Sequence, residues 1–100
     1  MEYHVFESYS IYMYYPLPTT GKVEDENFDF FLEYAGNKYL GTAFSIKNIV
    51  FLMGKENNNF FCLSQAICLI DISLDNLKSA IDKLIKDNEI EIFLTLQSEN

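Results

Sequence analysis

An α+β fold is what this sequence predicts: a mainly antiparallel sheet with two helices packed on one face. Three observations carry the prediction. Phe28, Phe30, Leu32 and Tyr34 alternate with Asp29 and Glu33, and the pattern resumes after Gly36-Asn37 as Lys38–Phe44, the signature of a hairpin. Ser45 and Ser73 each precede an apolar spacing of helical period. Strand-like and helix-like stretches follow one another in mixed order, without the regular βαβ alternation of a parallel sheet.

Taken in order, Tyr3, Val5, Tyr9, Ile11 and Met13 share one parity, which is the period of a half-buried strand. Tyr12, Tyr14 and Tyr15 make the opposite face aromatic as well, until Pro16 and Pro18 break regular pairing. Thr19-Thr20-Gly21-Lys22 has turn composition, and Glu24-Asp25-Glu26-Asn27 is an acidic loop. With Gly36 and Asn37 as central turn residues, Tyr34 would face Tyr39 and Phe30 would face Ala43.

Ser45 caps the first helix, whose face Ile46, Ile49, Val50 and Met53 follows i, i+3, i+4, i+7, with Gly54 as its stop. Lys55–Asn59 is a polar turn. Phe60–Ile72 is nearly continuous in apolar residues and predicts two short strands, or one bent strand, deep in the sheet. Ser73 caps the second helix. Leu74, Leu77, Ile81, Leu84 and Ile85 form its buried face; Asp75 near its start and Lys83 and Lys86 near its end suit the helix dipole. Asp87-Asn88 ends it, and Glu89–Leu96 alternates as a final strand.

The chain has 100 residues, enough for one domain, residues 1–100, that buries roughly two-thirds of its unfolded surface. Nine Phe and seven Tyr within a 49% hydrophobic composition supply a core without disulfides. Fifteen carboxylates stand against seven lysines and no arginine, a formal net charge of −8. A field of that sign repels nucleic acid and anionic lipid and attracts basic protein surfaces. The longest apolar runs fall far short of the ~20 residues of a membrane helix. The N-terminal residues Glu2, His4 and Glu7 lack a basic region, so no secretory signal is expected and the expected compartment is the cytoplasm.

Chemistry-bearing patterns are sparse. Cys62 and Cys68 are the two cysteines and His4 the one histidine, without metal-ligand spacing, so neither a metal nor a cofactor is expected. No phosphate-binding glycine loop occurs. Asp29/Glu33 and Glu89/Glu91 are carboxylate pairs of the kind used in acid–base work, but strand alternation accounts for them as a solvated face. The acids Glu24, Asp25, Glu26, Asp29 and Glu33 cluster within ten residues and form a candidate surface for a basic partner. Tyr12, Tyr14 and Tyr15 are either aromatic anchors of that interface or core.

From Phe28 onward the chain resembles small bacterial immunity proteins that protect a cell against polymorphic or contact-dependent growth inhibition toxins. The residues are Leu32-Glu33-Tyr34-x-Gly36-Asn37-Lys38-Tyr39, Thr42-Ala43-Phe44-Ser45 and the Ile49–Met53 segment. They continue in Ile72-Ser73-Leu74-x-x-Leu77-x-x-Ala80-Ile81-x-x-Leu84-Ile85 and Glu89-Ile90-Glu91-Ile92-Phe93, all fold-forming positions. The resemblance implies a cytoplasmic, non-enzymatic protein that binds one cognate toxin domain, often a nuclease with a basic groove, and occludes it. Two alternatives stand beside it: an acidic phosphate mimic that inhibits a nucleic-acid enzyme, and a small ligand-binding or enzymatic domain using Cys62, Cys68 or an acidic pair.

Overall fold

The computed structural model describes residues 1–18, 21–56, 59–60, 62 and 65–97. Its strands are β1 (Glu2–Val5), β2 (Tyr9–Met13), β3 (Asn27–Tyr34), β4 (Asn37–Ser45), β5 (Ala66–Leu69) and β6 (Thr95–Leu96). Its helices are α1 (Ile46–Lys55), α2 (Leu74–Lys86) and a single turn, α3 (Ile90–Phe93), with a 3-10 turn at Val23–Asp25. The sheet order is β1-β2-β3-β4-β5, antiparallel except where β5 runs parallel to β4. β6 pairs antiparallel with β4 at Tyr39 and Leu40, on the edge that β5 uses at Thr42–Ser45. The α+β class read from the sequence is the observed one.

The central hairpin forms with its inward residues as expected, but its turn lies one residue earlier. Ala35 (φ 52°) and Gly36 (φ 79°) are the central residues, both left-handed, as a type I′ turn requires. Tyr34 therefore faces Asn37, Leu32 faces Tyr39, and Phe30 faces Gly41. Moving a two-residue turn by one position shifts the register by two, and side chains keep their faces. The Phe30 ring fills the place where Gly41 lacks a side chain; a Cβ there would overlap it.

The N-terminal segment is a second hairpin and not one strand. The Glu7-Ser8 connection inverts the parity, so Tyr3 pairs with Tyr12 and His4 with Ile11. Tyr3 and Val5 consequently lie on the outer face, away from Tyr9, Ile11 and Met13, which are buried under the helices.

α2 carries the main apolar face. Leu77 and Ile81 are fully buried, with Leu74, Leu84 and Ile85 partly so. Ser73 Oγ accepts the Asn76 N–H at 3.0 Å as its cap. Its end is a Schellman closure: Asn88, at φ 57°, donates to Ile85 O, and Glu89 N–H donates to Leu84 O at 2.8 Å. That closure redirects the chain, and Ile90–Leu94 forms a helical turn in place of the expected strand. Ile90 and Leu94, four apart, both enter the core, whereas Ile92 is 61% exposed. Only Thr95–Leu96 pairs as a strand.

α1 departs further from expectation. Of its predicted apolar face, Ile46 and Val50 are exposed and Ile49 and Met53 only half-buried, and the buried residue is Asn48. Ser45 is both the last residue of β4 and the helix cap, so the strand end sets the helix direction and brings Asn48 against the 3-10 turn. Gly54 lies within the last turn of α1, not beyond it. Of Phe60–Ile72, the described part forms one strand, β5, at a sheet edge and not deep within it. Residues 57–58, 61 and 63–64 of the polar turn and apolar run, and Thr19-Thr20, lie outside the described residues.

Candidate functional site

The helices leave one face of the sheet uncovered, and aromatic side chains gather there. By register, Tyr3 of β1, Tyr12 of β2, and Asp29, Phe31 and Glu33 of β3 share it with Lys38, Leu40 and Thr42 of β4. Tyr3 stacks on Tyr12 with ring centroids 5.5 Å apart, and Tyr12 stacks on Phe31 at 4.9 Å. Tyr14 meets Phe31 edge-on at 5.6 Å. The result is a ladder of four rings running across three strands. Each rung is a cross-strand aromatic neighbour, which supports the sheet locally while presenting a rigid apolar surface.

One cation already lies on this ladder. The Lys38 ammonium is 4.6 Å from the Phe31 ring centre and 5.4 Å from that of Tyr12. Its hydrogen bond with Tyr12 is the main cause holding it above the ordinary lysine range, and Glu33, directly opposite in the register, contributes. The arrangement is an internal example of what the rings attract, a positive charge over π faces beside a carboxylate.

The acids divide into two groups. Asp29 and Glu33 flank Phe31 on the outer face: Thr42 Oγ1 donates to Asp29 at 2.7 Å, and Tyr3 OH donates to Glu33 at 3.1 Å. Glu24 and Asp25 are exposed on the 3-10 turn, next to the start of β3. Glu26 instead joins the turn to the fold. Ser45 Oγ donates to Glu26 Oε1 at 2.7 Å, and Ser45 N–H donates to Glu26 O at 3.0 Å. Asn48 completes the junction: its N–H donates to Ser45 Oγ, and its side-chain amide donates to Val23 O at 2.8 Å and accepts from Asn27 at 3.2 Å. Ser45 and Asn48 are fully buried, so these bonds satisfy groups that would otherwise be costly.

Two clefts border the ladder. One, of about 320 Å³, lies between the Tyr14-Tyr15-Pro16 segment and the beginning of β3, with Phe28, Asp29 and Phe31 on its far wall. The other, about 560 Å³ and wide open, runs past Tyr12, Glu33 and Lys38 to the Phe6–Ser8 connection. Tyr12 is buried within the ladder, whereas Tyr14 and Tyr15 are exposed at 59% and 82%. Of the three, Tyr12 is packed into the fold, and Tyr14 and Tyr15 are not core.

The structure brings Tyr12, Tyr14, Asp29 and Glu33 onto one surface and puts Tyr15 at its border; Glu24 and Asp25 occupy the adjoining turn. Tyr3, Phe31 and Lys38 were missed from the sequence. Phe31 was legible in principle, because adjacent Phe30-Phe31 in an alternating strand must put one ring on each face. Tyr3 was not, since its face depends on the parity change at Glu7-Ser8.

The cysteines do not join this site. Both are free and exposed, and partial burial raises the Cys68 thiol, which disfavours the reactive thiolate. His4 and Cys68 lie on opposite edge strands, β1 and β5, about 19 Å apart at normal strand spacing. A His4–Cys68 pair is therefore out of reach. Among the described residues no three His, Cys, Asp or Glu side chains converge as a metal site, and no helix is long and apolar enough to cross a membrane. No protein-family model matches this chain, and neither a curated protein nor a solved structure does so.

Proposed function

We propose that this protein is an immunity-type inhibitor and not an enzyme, acting in the cytoplasm by binding a basic toxin domain through the outer face of its sheet. The observation that carries the reading is the uncovered ladder Tyr3–Tyr12–Phe31–Tyr14 with Asp29 and Glu33 beside it. Aromatic rings with adjacent carboxylates suit Lys and Arg side chains, which stack on the ring and pair with the acid. A nuclease groove built for phosphates presents such side chains. The net charge of −8 would accelerate encounter, and Glu24 and Asp25 would form a rim beside the contact. An aromatic centre with Lys38 over it favours this reading over a phosphate mimic, which needs its acids in an unbroken array.

The test is association and dissociation kinetics against the protein encoded by the adjacent gene, at two salt concentrations. Glu24→Lys should slow association a few-fold, and added salt should reduce that difference. Phe31→Ala should raise the dissociation rate by about 10-fold or more, as expected for a central aromatic anchor. Wild-type rates in both variants would exclude this face as the contact.

A further inference from the structure

One edge of the sheet borders the aromatic ladder where it ends at Tyr3. β1 is a terminal strand, and among the described residues nothing pairs with its outer edge. Phe6 N–H donates to the Tyr9 carbonyl at 2.9 Å, and bonded and non-bonded pairs alternate along an antiparallel ladder. By that alternation Glu2 and His4 direct their backbone groups to β2, while Tyr3 and Val5 direct theirs outward. Met1 and Val5, at the two ends of this edge, are also apolar side chains left 76% and 73% exposed.

We propose that β1 pairs antiparallel with β1 of a second copy of this chain, Tyr3 lying opposite its own counterpart on a two-fold axis. A two-fold perpendicular to the sheet keeps both outer faces on one side, so residues of equal parity must face each other. Tyr3 meets that condition, and its outward N–H and C=O exchange two hydrogen bonds with the counterpart. The same register sets Glu2 opposite the counterpart of His4, and does so twice. Within one chain Glu2 Oε2 and His4 Nε2 already face each other at 3.3 Å, and neither hydrogen-bonds to another group. Pairing sets a second carboxylate and a second imidazole beside each such pair across the axis. Met1 would face Val5 of the other copy, covering two exposed apolar side chains.

Order along β1 is what singles out a second copy. Centring the pair on His4 would oppose two imidazoles and set Glu2 against Phe6, losing the match. A foreign strand would satisfy the backbone equally well but would need its own reason to carry the complementary pair. The paired dimer joins two sheets at their edges and sets the two ring stacks side by side across the axis.

Sedimentation equilibrium over a wide concentration range tests this, with the Cys62→Ser/Cys68→Ser chain used throughout to exclude disulfide dimers. The expected mass rises from 11.6 kDa toward twice that value with concentration. In concentrated samples the Tyr3 and Val5 amides should exchange with solvent at least 10-fold more slowly than in dilute ones. Val5→Lys, which puts a charge on an exposed edge position, should hold the chain monomeric with an unchanged circular dichroism spectrum. Tyr3→Pro should do the same, because the lost N–H is not part of the β1–β2 ladder; Val5→Lys decides if Tyr3→Pro fails to fold. A wild-type monomer at every concentration would overturn the proposal. So would a folded Val5→Lys chain that still dimerises, or β1 amides protected only when the adjacent-gene protein is added, which would assign the edge to a foreign strand.

Discussion

At Ala35 the main chain takes a positive φ of 52° although alanine carries a Cβ. A left-handed conformation costs an L-residue about 1–2 kcal/mol, and asparagine or glycine tolerates it better. Ala35→Asn creates the Asn-Gly pair preferred by a type I′ turn, so it should stabilise the protein by about 0.5–1 kcal/mol. An unchanged or lower urea midpoint would contradict that turn assignment. Asp82 is a second residue whose surroundings have a measurable consequence. Lys78 Nζ donates to one of its oxygens at 2.8 Å and Tyr9 OH to the other at 2.7 Å, tying α2 to β2. The Lys78 bond first, then that of Tyr9, lowers the carboxyl below its ordinary value. A lowered folded pKa stabilises the protein above the unfolded value, and that contribution is lost as pH falls through the folded one. Asp82→Asn should therefore cost under about 1 kcal/mol at neutral pH, because the pair is exposed and screened. The gap from wild type should close in acid, below the folded carboxyl's pKa; urea midpoints at neutral and strongly acidic pH measure it. A constant gap would show that the carboxylate's charge is not involved.

At the scale of elements, α2 and α1 show how far period alone reaches. Leu77 and Ile81 occupy the face that the i, i+4 spacing marks, and both are fully buried. Ile81→Ala should leave a cavity and cost about 2–5 kcal/mol, a large share of a total stability of about 5–10 kcal/mol. A urea midpoint equal to that of wild type would mean the face is not packed. α1 has an equally regular apolar spacing, yet Asn48 is the residue it buries. There the Asn48 amide donates to the Val23 carbonyl and accepts from Asn27, and a buried amide without those partners would be costlier than an exposed Val50. Polar satisfaction, which has no period, decided the phase.

Across the whole molecule the charge and the faces act together. α2 and the α3 turn cover the side of the sheet bearing Ile11, Phe30 and Leu32, and the other side keeps its rings and carboxylates in reach of a partner. Chemistry on the outer face therefore comes from two hairpins, with Tyr3 and Tyr12 on the first and Phe31 and Lys38 on the second. The acids recognised as one cluster in the sequence are separated by the fold, Glu26 into a buried junction and Asp29 and Glu33 onto the sheet. A charge cluster in sequence is thus a statement about net field, not about a shared surface.

By itself, the sequence determined the mixed class, the central hairpin's faces, the caps at Ser45 and Ser73, and the buried stripe of α2. All of these rest on contacts within a few residues, where period, turn chemistry and side-chain oxygen acceptors act directly. Only the tertiary structure decided the parity of β1, the phase of α1, the helical turn at Ile90–Phe93 and the edge position of β5. Each of those depends on what a distant segment offers: Tyr12 to stack on, the Val23 carbonyl to accept from Asn48, a core opening for Leu94, the shared edge of β4. The aromatic ladder is decided there too, because its rings meet only through strand order and register, which no single segment encodes.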